Sequence, residues 1–225
     1  MRSILLLLIV TTPACSYAQD LYTKNIDLPA FTEISFETVG DLIVEQGTKH
    51  SFSITAEPKV VAAITARVEG KVLRIISTDD FNTKKSIKIK VSLPAINKVA
   101  LLSSGDILLK NWNAGSLDLL VSGSGTIKAL AINADKIKAM IDGAGELSIS
   151  GQCSNLKADI DGSGTIEAGD LITASAYTSI NGSGDIKVHV TKLLHATVSG
   201  SGTISYQGNP KLTSTINGAG EVVKQ

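Results

Sequence analysis

Acidic and hydroxyl side chains recur at one matched place in a repeat across the second half of the chain: Thr126, Glu146, Thr165, Asp185, Thr203 and Glu221. If the repeats stack as strands about 4.8 Å apart, the acids on alternate rungs lie roughly 9 to 10 Å from one another. Carboxylates near that separation can serve as the acid and base of an inverting glycosidase. The intervening threonines, however, are also the simplest way to keep like charges from facing each other on adjacent strands. The column is therefore read as a polar face, with no residue assigned to catalysis.

A second column, Ser122, Asp142, Asp161, Asn181, Ser199 and Asn217, stands just before the first glycine of each repeat. Asp142 and Asp161 fall on adjacent rungs, where two carboxylates either share a proton or recruit a cation. Every member is a short side chain that can bond a backbone N–H two residues on or reach the neighbouring rung. These six are read as a structural turn ladder, with no metal site and no cofactor. His189 and His195 fall in different columns and His50 lies far away, so metal-ligand spacing is lacking. Glycan recognition calls for aromatic platforms. The one tryptophan, Trp112, lies in the turn Asn111 to Gly115 and reads as a cover for an edge, with Tyr177 and Tyr206 as further contributors to a surface patch.

These residues are positioned by six copies of one phrase, starting at Gly123, Gly143, Gly162, Gly182, Gly200 and Gly218 and spaced 18 to 20 residues apart. Each reads Gly-Ser-Gly or Gly-Ala-Gly, then a polar residue, then an aliphatic one. Such a short period marks a solenoid, in which a repeat buries its apolar face by stacking on its neighbours. Aligned on the second glycine, alternate positions form apolar columns. They are Leu117, Ile137, Leu156, Ala176, Leu194 and Leu212, then Leu119, Ala139, Ala158, Thr178, Ala196 and Ser214. Val121, Ile141, Ile160, Ile180, Val198 and Ile216 follow, and after the glycines come Ile127, Leu147, Ile166, Ile186, Ile204 and Val222. The small residues of the second column predict a thin, filled interior. Asn133 to Asp135, Gly151 to Asn155, Gly169-Asp170 and Gly208 to Pro210 carry turn chemistry and are expected to form the opposite edge as loops.

Degraded rungs are visible at Ser103 to Ile107 and Val39 to Val44. Between them, alternation at Ser51 to Ala56, Lys71 to Ile76 and Ser86 to Leu93 predicts antiparallel strands with one solvated face. Lys84, Lys85, Lys88 and Lys90 then belong to a solvated, aggregation-resistant surface. A short helix is expected over Pro58 to Val68. The fold class is thus all-β: a β-solenoid of 18- to 20-residue rungs over 96–225, preceded by a β-rich cap over 19–95, the two forming one continuous domain.

Residues 1–18 have the pattern of a signal peptide, with Arg2, the apolar run Ile4 to Val10 and the small-x-small site Ser16-Tyr17-Ala18. That run is too short to span a bilayer. Cys15 offers a lipoprotein acylation site, but Thr12, Pro13 and Ala14 fit that signal poorly, and membrane attachment would depend on it. Cleavage after Ala18 leaves Cys153 as the sole cysteine, which excludes an internal disulfide, and it reads as a small buried or half-buried thiol. Removing Arg2 changes 21 basic and 21 acidic residues to 20 and 21, a net charge of −1. A nucleic-acid partner is not indicated.

The run Ile180 to Ile186, the run Ile216 to Val222 and their four relatives, with Gly40 to Gly47 and Gly70 to Ile76, resemble the bacterial family called putative auto-transporter adhesin, head GIN domain. The resemblance extends from about Ala30 to the carboxyl end. It implies a β-helix-like fold and an envelope or extracellular location, and it carries over no catalytic residue. The expectation is a secreted or envelope-associated non-enzymatic binding protein, with a glycan or protein ligand and homo-oligomerisation both open. The alternative is a polysaccharide-active β-helix enzyme.

Overall fold

The computed structural model describes residues 21–225, so the signal-peptide and Cys15 readings lie outside the described residues. In chain order the elements are β1 (Tyr22–Ile26), β2 (Glu33–Glu37), β3 (Asp41–Gln46), β4 (Ser51–Ala56), α1 (Pro58–Ala63), β5 (Ile64–Glu69), β6 (Val72–Ser77) and β7 (Lys88–Leu93). Then come β8 (Lys98–Leu101), β9 (Asp106–Lys110), β10 (Asn113–Gly123), β11 (Thr126–Gly143), β12 (Glu146–Gly162), β13 (Thr165–Gly182), β14 (Asp185–Gly200), β15 (Thr203–Gln207), β16 (Lys211–Gly218) and β17 (Glu221–Lys224).

All six repeats stack in parallel register. Gly123 pairs with Gly143, Gly143 with Gly162, Gly162 with Gly182, Gly182 with Gly200 and Gly200 with Gly218. The fold is an all-β solenoid. The glycines of the repeated phrase are dictated by the stacking itself. A Cβ on Gly164 would lie 2.6 Å from Ile141 Cγ2 and 2.7 Å from Gly145 O, closer than real Cβ contacts. The apolar columns fill the interior: Ile127, Leu147, Ile166, Ile186 and Ile204 are all buried, as are Ile141, Ile160 and Ile180.

The stretches expected to be loops form a third wall instead. In β11 to β14, Asn133 pairs with Gln152, and Ala134 with Cys153, then Thr173, then Val190. A rung therefore runs through three strand segments. Ala134, Cys153, Thr173 and Val190 are buried, so this wall closes the core that the other two leave open. Differences in repeat length are absorbed at the corner entering it, where the register shifts between Ala129 and Ile132, Ser148 and Gly151, and Ala168 and Ile172, and in β13 also on leaving it, between Thr173 and Ser175.

The amino-terminal half is built into the same stack, in an order that differs from the chain. One wall runs β5, β6, β2, β8, β10; the next runs β1, β4, β7, β3, β9, β11. The segment β2–β3 is thus inserted between β6–β7 and β8–β9. Both degraded rungs are rungs, since Asp41 pairs with Asp106 and Asp106 with Thr126. The antiparallel expectation holds for β1/β4, β4/β7 and β5/β6, whereas β6 and β7 also pair in parallel with β2 and β3. The helix stops at Ala63, earlier than expected. Ile64, Thr65 and Val68 are β-branched and gain an antiparallel ladder with β6 that a further helical turn would forfeit.

Candidate binding faces

The wall that begins each rung after the glycines has a straight outward column: Asp41, Asp106, Thr126, Glu146, Thr165, Asp185, Thr203 and Glu221 in consecutive register. Strand alternation produces it, because each of these residues precedes an inward aliphatic one, buried from Leu42 to Ile204 and half-buried at Val222 in the last strand. The next outward column reads Ile43, Leu108, Lys128, Ser148, Glu167 and Lys187. Lys187 Nζ donates to Glu167 Oε1 at 2.8 Å, which raises the lysine pKa. A shallow depression of about 350 Å³ lies at the amino-terminal end of this face, with Ile43 and Leu108 in its lining and Asp41, Asp106, Thr126 and Lys128 beside them. Lys88 and Lys90 are exposed on β7 and alternate with buried Ile89 and Val91. Lys84 and Lys85, just ahead of β7, are exposed too.

The turn ladder stacks as Ser122, Asp142, Asp161, Asn181, Ser199 and Asn217. Its hydrogen bonding runs between rungs. The N–H two residues after Asp142 is that of Ala144, which donates to Gly123 O at 3.1 Å; after Asp161 it is Ser163 N–H, which donates to Gly143 O at 2.9 Å. Those donors are committed to the preceding rung, and Asp161 is met by the next rung instead, Asn181 Nδ2 donating to its Oδ1 at 3.1 Å. Among the described residues no three His, Cys, Asp or Glu side chains converge in a metal-binding group.

A second ladder, which the sequence reading missed, runs along the third wall. Asn133 Nδ2 donates to Asn113 Oδ1 at 3.1 Å and Gln152 Nε2 donates to Asn133 Oδ1 at 3.3 Å. Gln46 extends it by accepting from Asn113 N–H at 3.0 Å. Ile172, 53% exposed, and His189 continue the column. Only the 19- and 20-residue spacing of Asn113, Asn133 and Gln152 hints at this arrangement.

The aromatic residues do not make a common patch. Trp112 is wholly buried and its Nε1 donates to Val44 O at 3.2 Å, which removes it as a sugar platform. Tyr206 is half-buried and packs against the core. Tyr177 is exposed on the wall that precedes the glycines and stacks on His195, with ring centroids 4.8 Å apart and planes 6° from parallel. That column runs Lys157, Tyr177, His195 and Thr213, so the ring faces look along the stack and solvent sees their edges. A pyranose needs a ring face. His50 is placed by Phe31, edge-on at 5.0 Å, and by the Phe31 carbonyl 3.0 Å from its Nε2.

Cys153 is buried, its thiol donating to Thr173 Oγ1 at 3.3 Å, and burial pushes its pKa up. At the amino-terminal end, Arg74 clasps Glu37 through Nε at 2.9 Å and Nη2 at 2.7 Å, and reaches Glu69 at 3.4 Å. This fork holds the Glu37 carboxyl below its ordinary value.

Three solved structures share this architecture. A putative adhesin from Bacteroides fragilis superposes with a TM-score of 0.87 at 25% identity, over 92% of this chain and 98% of that one. A protein from Parabacteroides distasonis described as a putative lipid-binding protein gives 0.76 at 24%, over 92% and 98%. A putative adhesin from Parabacteroides merdae gives 0.73 at 22%, over 92% and 97%. No curated protein matches the sequence. A family model, described as putative auto-transporter adhesin, head GIN domain, matches residues 30–210. Most of the chain lies within that match, and the protein belongs to this family.

Proposed function

We propose that this is an exported, non-enzymatic protein that binds an envelope or extracellular partner through the outer face of one wall. The observation that carries the reading is the outward column from Asp106 to Glu221, in which the same hydroxyl and carboxylate chemistry recurs rung after rung in one register. Such a surface offers many equivalent contacts to an extended or repetitive ligand and builds up affinity by multivalency. An active site instead needs one place whose groups differ from their neighbours. The filled interior also argues that any ligand, lipid included, lies outside the coil.

Lysine substitution at Thr126, Thr165 and Thr203 together tests the assignment on arrays of glycans and immobilised envelope proteins, against a control with lysine at Ser179, Thr197 and Thr215 on the neighbouring wall. Loss of binding in the first variant alone is expected. Equal retention in both, or release of reducing sugar from a bound polysaccharide that Glu146→Gln abolishes, overturns the reading. Export is checked separately, since the mature protein should begin at Gln19 by mass spectrometry and a lipid-modified Cys15 would refute that.

A further inference from the structure

The two ends of the stack are finished differently. At the amino-terminal end the core is covered by α1, whose Val60, Val61 and Ala63 are buried, and the edge strands β1 and β5 run antiparallel to their neighbours. Arg67 and Glu69, ion-paired at 2.7 Å, add charge to the β5 edge, a common way of blunting it. At the other end β16 is exposed along all eight of its residues. That includes Leu212 and Ile216, 37% and 43% exposed, although both belong to core columns that are buried in the rungs below. Lys211 is its sole charged residue, and it contains no proline.

Among the described residues β16 pairs on one side only, with β14, and its free backbone groups follow a defined pattern. In a parallel ladder the N–H and C=O of one residue point to one neighbouring strand and those of the next residue to the other. Asp118, in the column that Thr213 continues, donates its N–H to Asn97 O in the preceding rung at 2.8 Å. His195 O, in the same column, likewise faces the preceding rung and accepts from Thr178 Oγ1 at 3.2 Å. Thr213 and Thr215 are thereby directed back to β14. Leu212, Ser214 and Ile216 direct their N–H and C=O groups out of the open end.

We infer that this edge is the contact through which two copies of the chain join, β16 against β16, about a two-fold axis through Ser214. Antiparallel pairing about that axis sets Ser214 opposite Ser214 and Leu212 opposite Ile216, so the residues with free backbone groups are those that form the hydrogen-bonded pairs. An axis normal to the wall keeps both interiors on one side. Leu212 and Ile216 of each copy then extend the apolar column of the other. Charge permits the contact, because Lys211 falls opposite Asn217 and Thr213 opposite Thr215, with no like charges across the seam. Head-to-tail growth is disfavoured, since the amino-terminal end presents blunted antiparallel edges rather than a matching parallel one. The contact is self-complementary and closes at two copies.

Sedimentation velocity across a concentration series tests this on the purified protein. The expected result is a reversible shift to twice the monomer mass, with amide exchange at Leu212, Ser214 and Ile216 slowing as the dimer forms. Ser214→Pro removes an N–H that faces the open edge and leaves the ladder to β14 intact, a position where an edge strand tolerates proline. It should weaken the dimer by roughly tenfold or more, through the lost hydrogen bonds, without moving the thermal midpoint of the monomer. If that variant fails to fold, Ile216→Lys, at an exposed position, gives the same reading by setting a charge in the seam. A monomer at every concentration, association unchanged in both variants, or open-ended oligomers beyond two copies would each overturn the inference.

Discussion

Gly162→Ala and Gly169→Ala are the same chemical change made seven residues apart in one rung, and they should differ sharply. Gly162 has φ +129°, and a Cβ there would lie 2.3 Å from Gly143 O and 3.1 Å from Gly143 C in the rung below. The backbone strain alone costs about 1–3 kcal/mol. The clash adds to it, because the obstacle is a carbonyl locked into its own ladder by accepting Ser163 N–H at 2.9 Å. A total of about 3 kcal/mol corresponds to a fall of about 6–12 °C in midpoint for a chain of this size. At Gly169 a Cβ meets nothing within 4 Å. That variant should stay within about 1 kcal/mol of the parent, on the stabilising side if the unfolded chain loses freedom. Thermal and guanidinium unfolding followed by circular dichroism measure both. Equal midpoints would refute the argument that glycine is imposed by rung contact. Gly218→Ala probes the same corner in the terminal rung, where a Cβ would lie 2.4 Å from Gly200 O. It should cost less in the monomer, since among the described residues β16 has no strand above it and can shift.

Ile160→Asp puts a charge between buried Ile141 and Ile180 and should abolish or severely lower the unfolding transition, whereas Thr165→Ala on the outer face should move it by less than about 0.5 kcal/mol; comparable midpoints would contradict the rung alignment. Because Arg74 holds the Glu37 carboxyl below its ordinary value of 4.5, the folded state binds fewer protons there than the unfolded state. The Glu37 contribution to stability is full above that value and is lost as the pH falls through the lower folded one, so Glu37→Gln should destabilise at pH 7 and much less at pH 3; a pH-independent difference in denaturant midpoint would refute it. The Cys153 thiol should react with an aromatic disulfide reagent only as the protein unfolds, and a native rate matching that in denaturant would show that the third wall is open.

The stacking half of this protein was legible because its contacts are between neighbouring repeats. When Ile141, Ile160 and Ile180 touch because they are one period apart, aligning the phrases also aligns the structure, and the outer column from Thr126 to Glu221 follows by alternation. The glycines were legible for the same reason, as each approaches its own counterpart in the rung below. Tertiary structure decided what periodicity does not encode. The third wall, read from Asn133 to Asp135 and Gly151 to Asn155 as loops, is made strand by its neighbours, since turn-forming residues with a buried Ala134 or Cys153 among them gain more from the ladder than from a loop. The insertion of β2–β3 between β6–β7 and β8–β9 depends on pairings far apart in sequence, which no local pattern records. Trp112 reads from its turn as a cover for an edge, but which edge it covers is decided by Val44, 68 residues earlier, whose carbonyl accepts from the wholly buried indole. The open face of β16 was equally hidden. Leu212 and Ile216 have the sequence pattern of core residues, and what makes them surface is the lack of a covering rung or helix above them among the described residues.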